Sequence, residues 1–283
     1  MLGKLFAHEW KDSWKLMTIM NITVLALSAV GAVFFHRNSS LVKPLFESFE
    51  KSGGDTLYYL TCTGYFMLLV FSIAVLAVGC TIYFYIRFYR NLYTDQGYLM
   101  HTLPVNEHQL ILSKTFVCLI WRIISALAVT AGIIVLMMSA FGDDFDLADI
   151  LEGITGLFED FGVIRGFIFI ILIILLLLGK ALFTAYTGYV CISIGQLAAK
   201  NKVLAAIGTY FGIRVLIQII STFGSQYMVM LSAMAPYDLF ELFESNENAV
   251  LIGMTFLVLI VYLICAAMYM IVYSIMNKRL NLE

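Results

Sequence analysis

Long apolar runs separated by short polar stretches set the layout of the chain. Six runs reach the length of about 20 residues that a helix needs to cross a bilayer: 16–35, 57–86, 115–139, 164–195, 203–231 and 250–276. They are smooth rather than alternating in polarity. That predicts membrane helices and argues against the alternating strands of a β-barrel. At about 1.5 Å per residue the second run makes a helix of about 45 Å, so it should protrude from the bilayer on one side. The expected fold is all-α, a single polytopic transmembrane domain over 1–283.

Between the runs, several stretches have a helical period of their own. Leu2, Phe6, Trp10, Trp14 and Met17 recur every three to four residues, with Lys4, His8, Lys11, Asp12 and Lys15 on other faces. This predicts an amphipathic helix over 1–15 lying along a leaflet, with tryptophan at headgroup depth. It is too amphipathic for a cleavable signal, and the run behind it is long enough to stay in the membrane. In 143–161, one stripe (Leu147, Ile150, Leu151, Ile154, Leu157, Phe158, Phe161) opposes seven acidic residues, which predicts a second amphipathic helix. Its carboxylates lack the spacing of a calcium loop. Pro236–Glu247 reads as a short helix with proline in its first turn. Asn38-Ser39-Ser40 matches a glycosylation acceptor, a three-residue pattern common by chance.

Composition narrows the class. Of 283 residues, 61% are hydrophobic and 13% charged, against about 45–50% and 25% in soluble domains. A soluble enzyme, a disulfide scaffold and a disordered chain are excluded. The net charge of −2 gives no sign of nucleic acid as a partner. The five cysteines (Cys62, Cys80, Cys118, Cys191, Cys265) all sit in apolar runs without a CxxC, and read as small buried hydrophobes rather than metal ligands.

Charge distribution orients the spans. With the N-terminus in the cytosol, ten Lys and Arg residues fall inside, four outside (counting Arg165 at the outer edge of its run) and three deep within spans, while 14 of the 19 acids fall outside. The positive-inside rule therefore places both termini in the cytosol of a multi-pass cell-membrane protein.

Residues 87–114 are the most informative connection. Thr94 or Asp95 can cap a short helix, and Pro104 should stop it by forcing Leu103 out of the α region. Asn106 with Gln109 forms a plausible capping box for a further helix running into the third span. A short crosswise helix would then be held between two membrane helices, exposing Tyr98, Leu99 and Leu103. Such a surface is either a partner site or a loop folded on its own bundle.

The stretch Leu92–Lys114, with Asp95-Gln96-Gly97-Tyr98-Leu99 leading to Thr102-Leu103-Pro104-Val105 and then Ser113-Lys114, resembles the six-span permease subunits of ABC transporters common in Gram-positive gut bacteria. Those are exporter-type transmembrane domains with separately encoded ATPases. The resemblance covers the whole hydropathy layout, but about twenty residues carry its specific motif. It implies that Thr94–Val105 is a coupling helix seated in a groove of the ATPase subunit, through Thr94, Asp95, Gln96, Gly97, Tyr98, Leu99, Thr102, Leu103 and Pro104. It implies also that the N-terminal amphipathic helix is an elbow helix. Six spans would form half of a translocation pathway, so a second permease, identical or similar, is expected as a partner beside the ATPase and membrane lipids.

No G-x-x-x-x-G-K-[ST] motif occurs, so this chain is not expected to act as an enzyme. No cofactor is expected in it, and ATP and Mg would be bound by the partner subunit. None of the six predicted spans contains Asp, Glu or His, which disfavours a proton-coupled carrier and a membrane-embedded enzyme. A non-catalytic membrane sensor or assembly protein keeps the same spans and remains the alternative. The spans do hold cations. Arg122 is shallow enough to snorkel; Lys180 and Arg214 are deeper. Lys180, Thr184, Thr187 and Cys191 share one helical face, and Arg214, Gln218, Ser221 and Ser225 another. Such faces could line a hydrated cavity for an anionic group of substrate or lipid, or the cations could bond carbonyls at a helix break. Gly208-Thr-Tyr-Phe-Gly212 is a GxxxG that permits close helix approach, within one subunit or between two, as does the small-residue edge of Ala181, Ala185 and Gly188.

Overall fold

A computed structural model of the chain describes residues 2–37, 56–94, 97, 105–141, 152–153, 155–156, 158, 162–198, 200–234 and 247–279. Regular structure among these residues is helical throughout. The long helices are α1 (Leu2–Arg37), α2 (Thr56–Tyr93), α3 (Glu107–Phe141), α4 (Val163–Gly195), α5 (Lys202–Met234) and α6 (Glu247–Arg279). Each contains a segment long and apolar enough to cross a membrane, so the chain is a multi-pass membrane protein, helical among its described residues.

The predicted spans and the helices of α4, α5 and α6 agree to within three residues. The ends of α2 and α3 that face the 94–106 connection run well past their apolar runs, to Tyr93 and back to Glu107. A helix satisfies its own backbone hydrogen bonds whether or not its side chains are apolar. Arg87, Arg90 and Asn91 therefore continue α2 beyond the hydrocarbon. Its 38 residues span about 57 Å at 1.5 Å per residue, against a hydrocarbon core of about 30 Å.

A separate helix over 1–15 is not what forms. Residues 2–37 are one uninterrupted helix of 36 residues. No proline or glycine lies between Lys4 and Val30 to break it, and kinks need such a cause. The buried face also differs from the predicted apolar stripe. Glu9, Ser13, Met17, Asn21, Val24 and Ser28 recur every three to four residues and are all buried, while Trp14, Leu16 and Ile19 are exposed. Lipid tails are as apolar as leucine, so the larger apolar side chains can face lipid while small and polar ones make the helix contacts.

The chain divides into two compact units, Met1–Tyr83 with Phe116–Gly156 and Phe84–Thr115 with Leu157–Glu283. In the first, Trp10 stacks on Trp121 at 4.8 Å. Trp121 Nε1 donates to the Ser13 hydroxyl at 3.2 Å, and that hydroxyl donates to the Glu9 carbonyl at 2.9 Å. The Tyr65 hydroxyl donates to the Leu27 carbonyl at 2.5 Å, and Ser139 bonds the Ala32 carbonyl.

In the second unit α4 packs against both α5 and α6. The Tyr262 hydroxyl donates to the Leu175 carbonyl at 3.2 Å, and Leu172, Leu251 and Val258 form a small apolar core. The α4–α5 turn is tight. A Cβ on Gly195 would lie 2.7 Å from the backbone nitrogen of Ala206. Asn201 takes the left-handed conformation at φ 56°, which asparagine tolerates.

Of the helix expected over 143–161, only residues 152–153, 155–156 and 158 are described, all helical. The helix expected over 236–247 and the Asn38-Ser39-Ser40 match lie outside the described residues, apart from Glu247, where α6 begins.

Candidate functional site

Two features of the second unit bear on function: the helix ends that hold residues 94–105, and the cations of α4 and α5. The last turns of α2 lie against α4 through aromatic side chains. Phe88 and Tyr189 stack at 3.8 Å, both almost fully buried. The hydroxyls of Tyr93 and Ser193 share a hydrogen bond of 2.8 Å. Tyr85 packs against Gly188 and donates to the Thr184 carbonyl. The start of α3 is held by α6. His108 stacks on Tyr273 at 3.9 Å and shares a hydrogen bond with the Tyr269 hydroxyl. Leu92, Leu110, Ile111 and Ser113 are buried. Tyrosine suits this position because its ring packs in an apolar medium while its hydroxyl finds an acceptor.

Most of the sequence-predicted coupling residues (Asp95, Gln96, Tyr98, Leu99, Thr102, Leu103 and Pro104) lie outside the described residues. Thr94 and Gly97 are described. Gly97 is helical, and Thr94 lies at the end of α2. Its hydroxyl donates to the Arg90 carbonyl at 2.5 Å and so closes the end of α2. The Gly97 amide then donates to the Thr94 carbonyl at 2.6 Å. A Cβ on Gly97 would stand 2.5 Å from the Leu92 carbonyl oxygen, so only glycine lets the chain turn back this closely. Helix α3 begins at Glu107, where capping at Asn106 was expected; the Gln109 amide donates to the Asn106 carbonyl at 2.8 Å.

The polar faces of α4 and α5 differ in exposure. On α4, Thr187 and Cys191 are buried in helix contacts. The Thr187 hydroxyl donates to the Phe183 carbonyl at 2.6 Å and touches Met268 Sδ at 3.9 Å. The Cys191 carbonyl accepts from Thr209 at 3.2 Å. Lys180 is exposed, and Thr184 is half-buried, its hydroxyl donating to the Lys180 carbonyl at 2.8 Å. The α5 face stays open: Arg214, Gln218, Ser221 and Ser225 are all exposed. Arg214 Nε donates to the Tyr210 hydroxyl at 3.1 Å, and its guanidinium carbon lies 5.5 Å from that ring's centroid. Tyr210 meets Tyr85 edge-on at 6.0 Å. A chain of contacts thus links Arg214 through Tyr210 and Tyr85 to the Thr184 carbonyl. Gln218 reaches Thr222 at 3.4 Å.

Arg122 belongs to the first unit, not to this group. Its Nη2 donates to the Thr81 hydroxyl at 3.0 Å. Gly208 and Gly212 have nothing within 4 Å of where a Cβ would stand, so this GxxxG makes no contact among the described residues of its own chain. Gly188 and Ala185, by contrast, are buried in the contacts of α4.

Sequence reasoning missed the tyrosine and histidine contacts. Their signal was present in Tyr85, Tyr93, Tyr186, Tyr210, Tyr269 and Tyr273, hydroxyl-bearing side chains set in apolar helices, which need acceptors there. Comparison of the chain with protein-family models, with curated proteins and with solved structures finds no match.

Proposed function

We propose that the chain is the membrane subunit of an ATP-driven ABC exporter, forming half of the translocation pathway and coupling to a separately encoded ATPase beneath Thr94–Val105. The observation that supports this best is the double anchorage of that segment. Its two flanking helix ends are each locked by aromatic stacking, Phe88 on Tyr189 and His108 on Tyr273. A push on 94–105 would therefore reach α4 and α6 through close-packed side chains rather than through a slack loop. ATP and Mg belong to the partner in this reading, and a second permease copy completes the pathway. The positive-inside bias of the sequence puts the 94–105 connection in the cytosol, where an ATPase would meet it.

The test is purification of the full chain in mild detergent from its native host. An ATPase subunit at equal stoichiometry is expected to copurify. A chain that purifies alone, with no ATPase encoded beside it, turns the reading to the sensor or assembly protein.

A further inference from the structure

Helix α5 carries a guanidinium, that of Arg214, with no carboxylate partner among the described residues. Arg214 stands midway between Lys202 and Tyr227, the ends of the apolar span, so about 20 Å of helix lies on either side of it. Neither α4 nor α5 contains an Asp or Glu anywhere between residues 163 and 234, and the apolar spans of α2 and α6 contain none either. A second copy of the chain brought against α5 would offer no carboxylate from these spans. A cation at this depth is costly unless an anion or water meets it.

The side chain is nevertheless held for use. The Tyr210 hydroxyl takes the Nε proton at 3.1 Å, the Tyr210 ring lies under the cation at 5.5 Å, and Tyr85 braces that ring. Guanidinium carries five N–H donors; those on the terminal nitrogens have no protein partner among the described residues. The side chain is exposed, and Phe211 and Val215 beside it are exposed apolar surface. A fixed planar donor fork next to apolar surface suits one ligand chemistry: a phosphate on an acyl chain.

We infer that Arg214, oriented by Tyr210, binds the phosphate of an anionic lipid or lipid-like amphiphile that enters from the bilayer. Gln218, exposed one turn further on, adds an amide to the same face. As a statement about cargo this rests on the exporter reading above; as a statement about binding it stands apart from it. It makes the cargo anionic, because a cationic peptide would meet a like charge.

The full chain is reconstituted in nanodiscs, and its bound lipid is read by native mass spectrometry. The probes are phosphatidylglycerol and phosphatidylcholine with identical acyl chains. The wild type is expected to retain phosphatidylglycerol about tenfold over phosphatidylcholine, the factor that one ordinary charge-assisted hydrogen bond carries. Arg214→Met should bring the two lipids to parity. Arg214→Lys, which keeps the charge but loses the fork, and Tyr210→Phe, which keeps the ring but frees Nε, should fall between. If Arg214→Met does not fold, the last two variants decide: wild-type selectivity in both overturns the inference, as does equal retention of the two lipids by the wild type. Displacement of the lipid by inorganic phosphate alone also overturns it, since the site would then read a free anion. Selective lipid binding without a copurifying ATPase would leave the site standing and sink the exporter reading; an ATPase partner without lipid selectivity would do the reverse.

Discussion

Polar atoms inside a helix contact in lipid must be satisfied by protein, and two serines of the first unit make opposite predictions. Ser13 is fully buried and accepts from Trp121 Nε1. Ser13→Ala strands that indole donor, at a cost of about 1 kcal/mol, within the range for an unpaired buried donor. The Ser125 hydroxyl is buried with no hydrogen-bond partner among the described residues, so Ser125→Ala should be neutral or slightly stabilising. Thermal unfolding of both variants in one detergent checks this. Equal losses would mean that the indole bond contributes nothing specific. These roles could not be read from sequence, because both serines sit in helical segments with no local sign of which face packs. Arg122 was legible as an intramembrane cation, but its partner Thr81 lies on another helix, beyond any local pattern.

Helix by helix, legibility followed the length of the apolar signal. For α4, α5 and α6 the apolar run is nearly the whole helix, so its limits are the helix limits. For α1, α2 and α3 the helix continues into polar sequence, where hydropathy is silent and only the absence of a breaker speaks. Facing was the harder part. The polar stripe on α4 reads as one face by spacing, yet its inner half, Thr187 and Cys191, is buried in contacts and only Lys180 stays fully exposed. Spacing fixes which residues share a face, not what the face meets. Glycines behave likewise. Gly195, Gly208 and Gly212 look alike in sequence, but a Cβ on Gly195 would meet the Ala206 backbone at 2.7 Å while the other two stand open. Gly195→Leu should therefore destabilise the subunit by about 1–3 kcal/mol, the usual cost of overpacking. Gly208→Leu and Gly212→Leu should leave subunit unfolding unchanged. Their effect should appear in cross-linking between copies if close approach there needs the glycines. A comparable loss of subunit stability in all three would mean that α5 packs within its own chain through the GxxxG face.

At the level of the whole molecule, the proposed function requires force applied to 94–105 to reach the spans. The segment and its anchors should then fail in different ways. Leu99 and Leu103 are the proposed contacts with the ATPase, and apolar anchors in a small interface commonly cost more than about 1 kcal/mol each when truncated. Replacing both with Asp should abolish copurification of the ATPase while the spans remain folded. Phe88 touches no partner in this scheme. It is buried against Tyr189 at 3.8 Å, and Phe88→Ala opens a cavity at the joint between α2 and α4. Large-to-small changes in a packed contact cost about 3–5 kcal/mol in soluble cores, so the joint slackens although the docking surface is untouched. That variant should still bring down the ATPase but lose cargo-stimulated ATP hydrolysis, because transmission through a joint depends on its having few discrete arrangements. Copurification assays and stimulated hydrolysis in proteoliposomes separate the two outcomes. If the Leu99→Asp and Leu103→Asp pair still binds and responds like the wild type, residues 94–105 do not couple anything. If that pair fails but Phe88→Ala behaves normally, the ATPase docks here and its closure reaches the spans by another route.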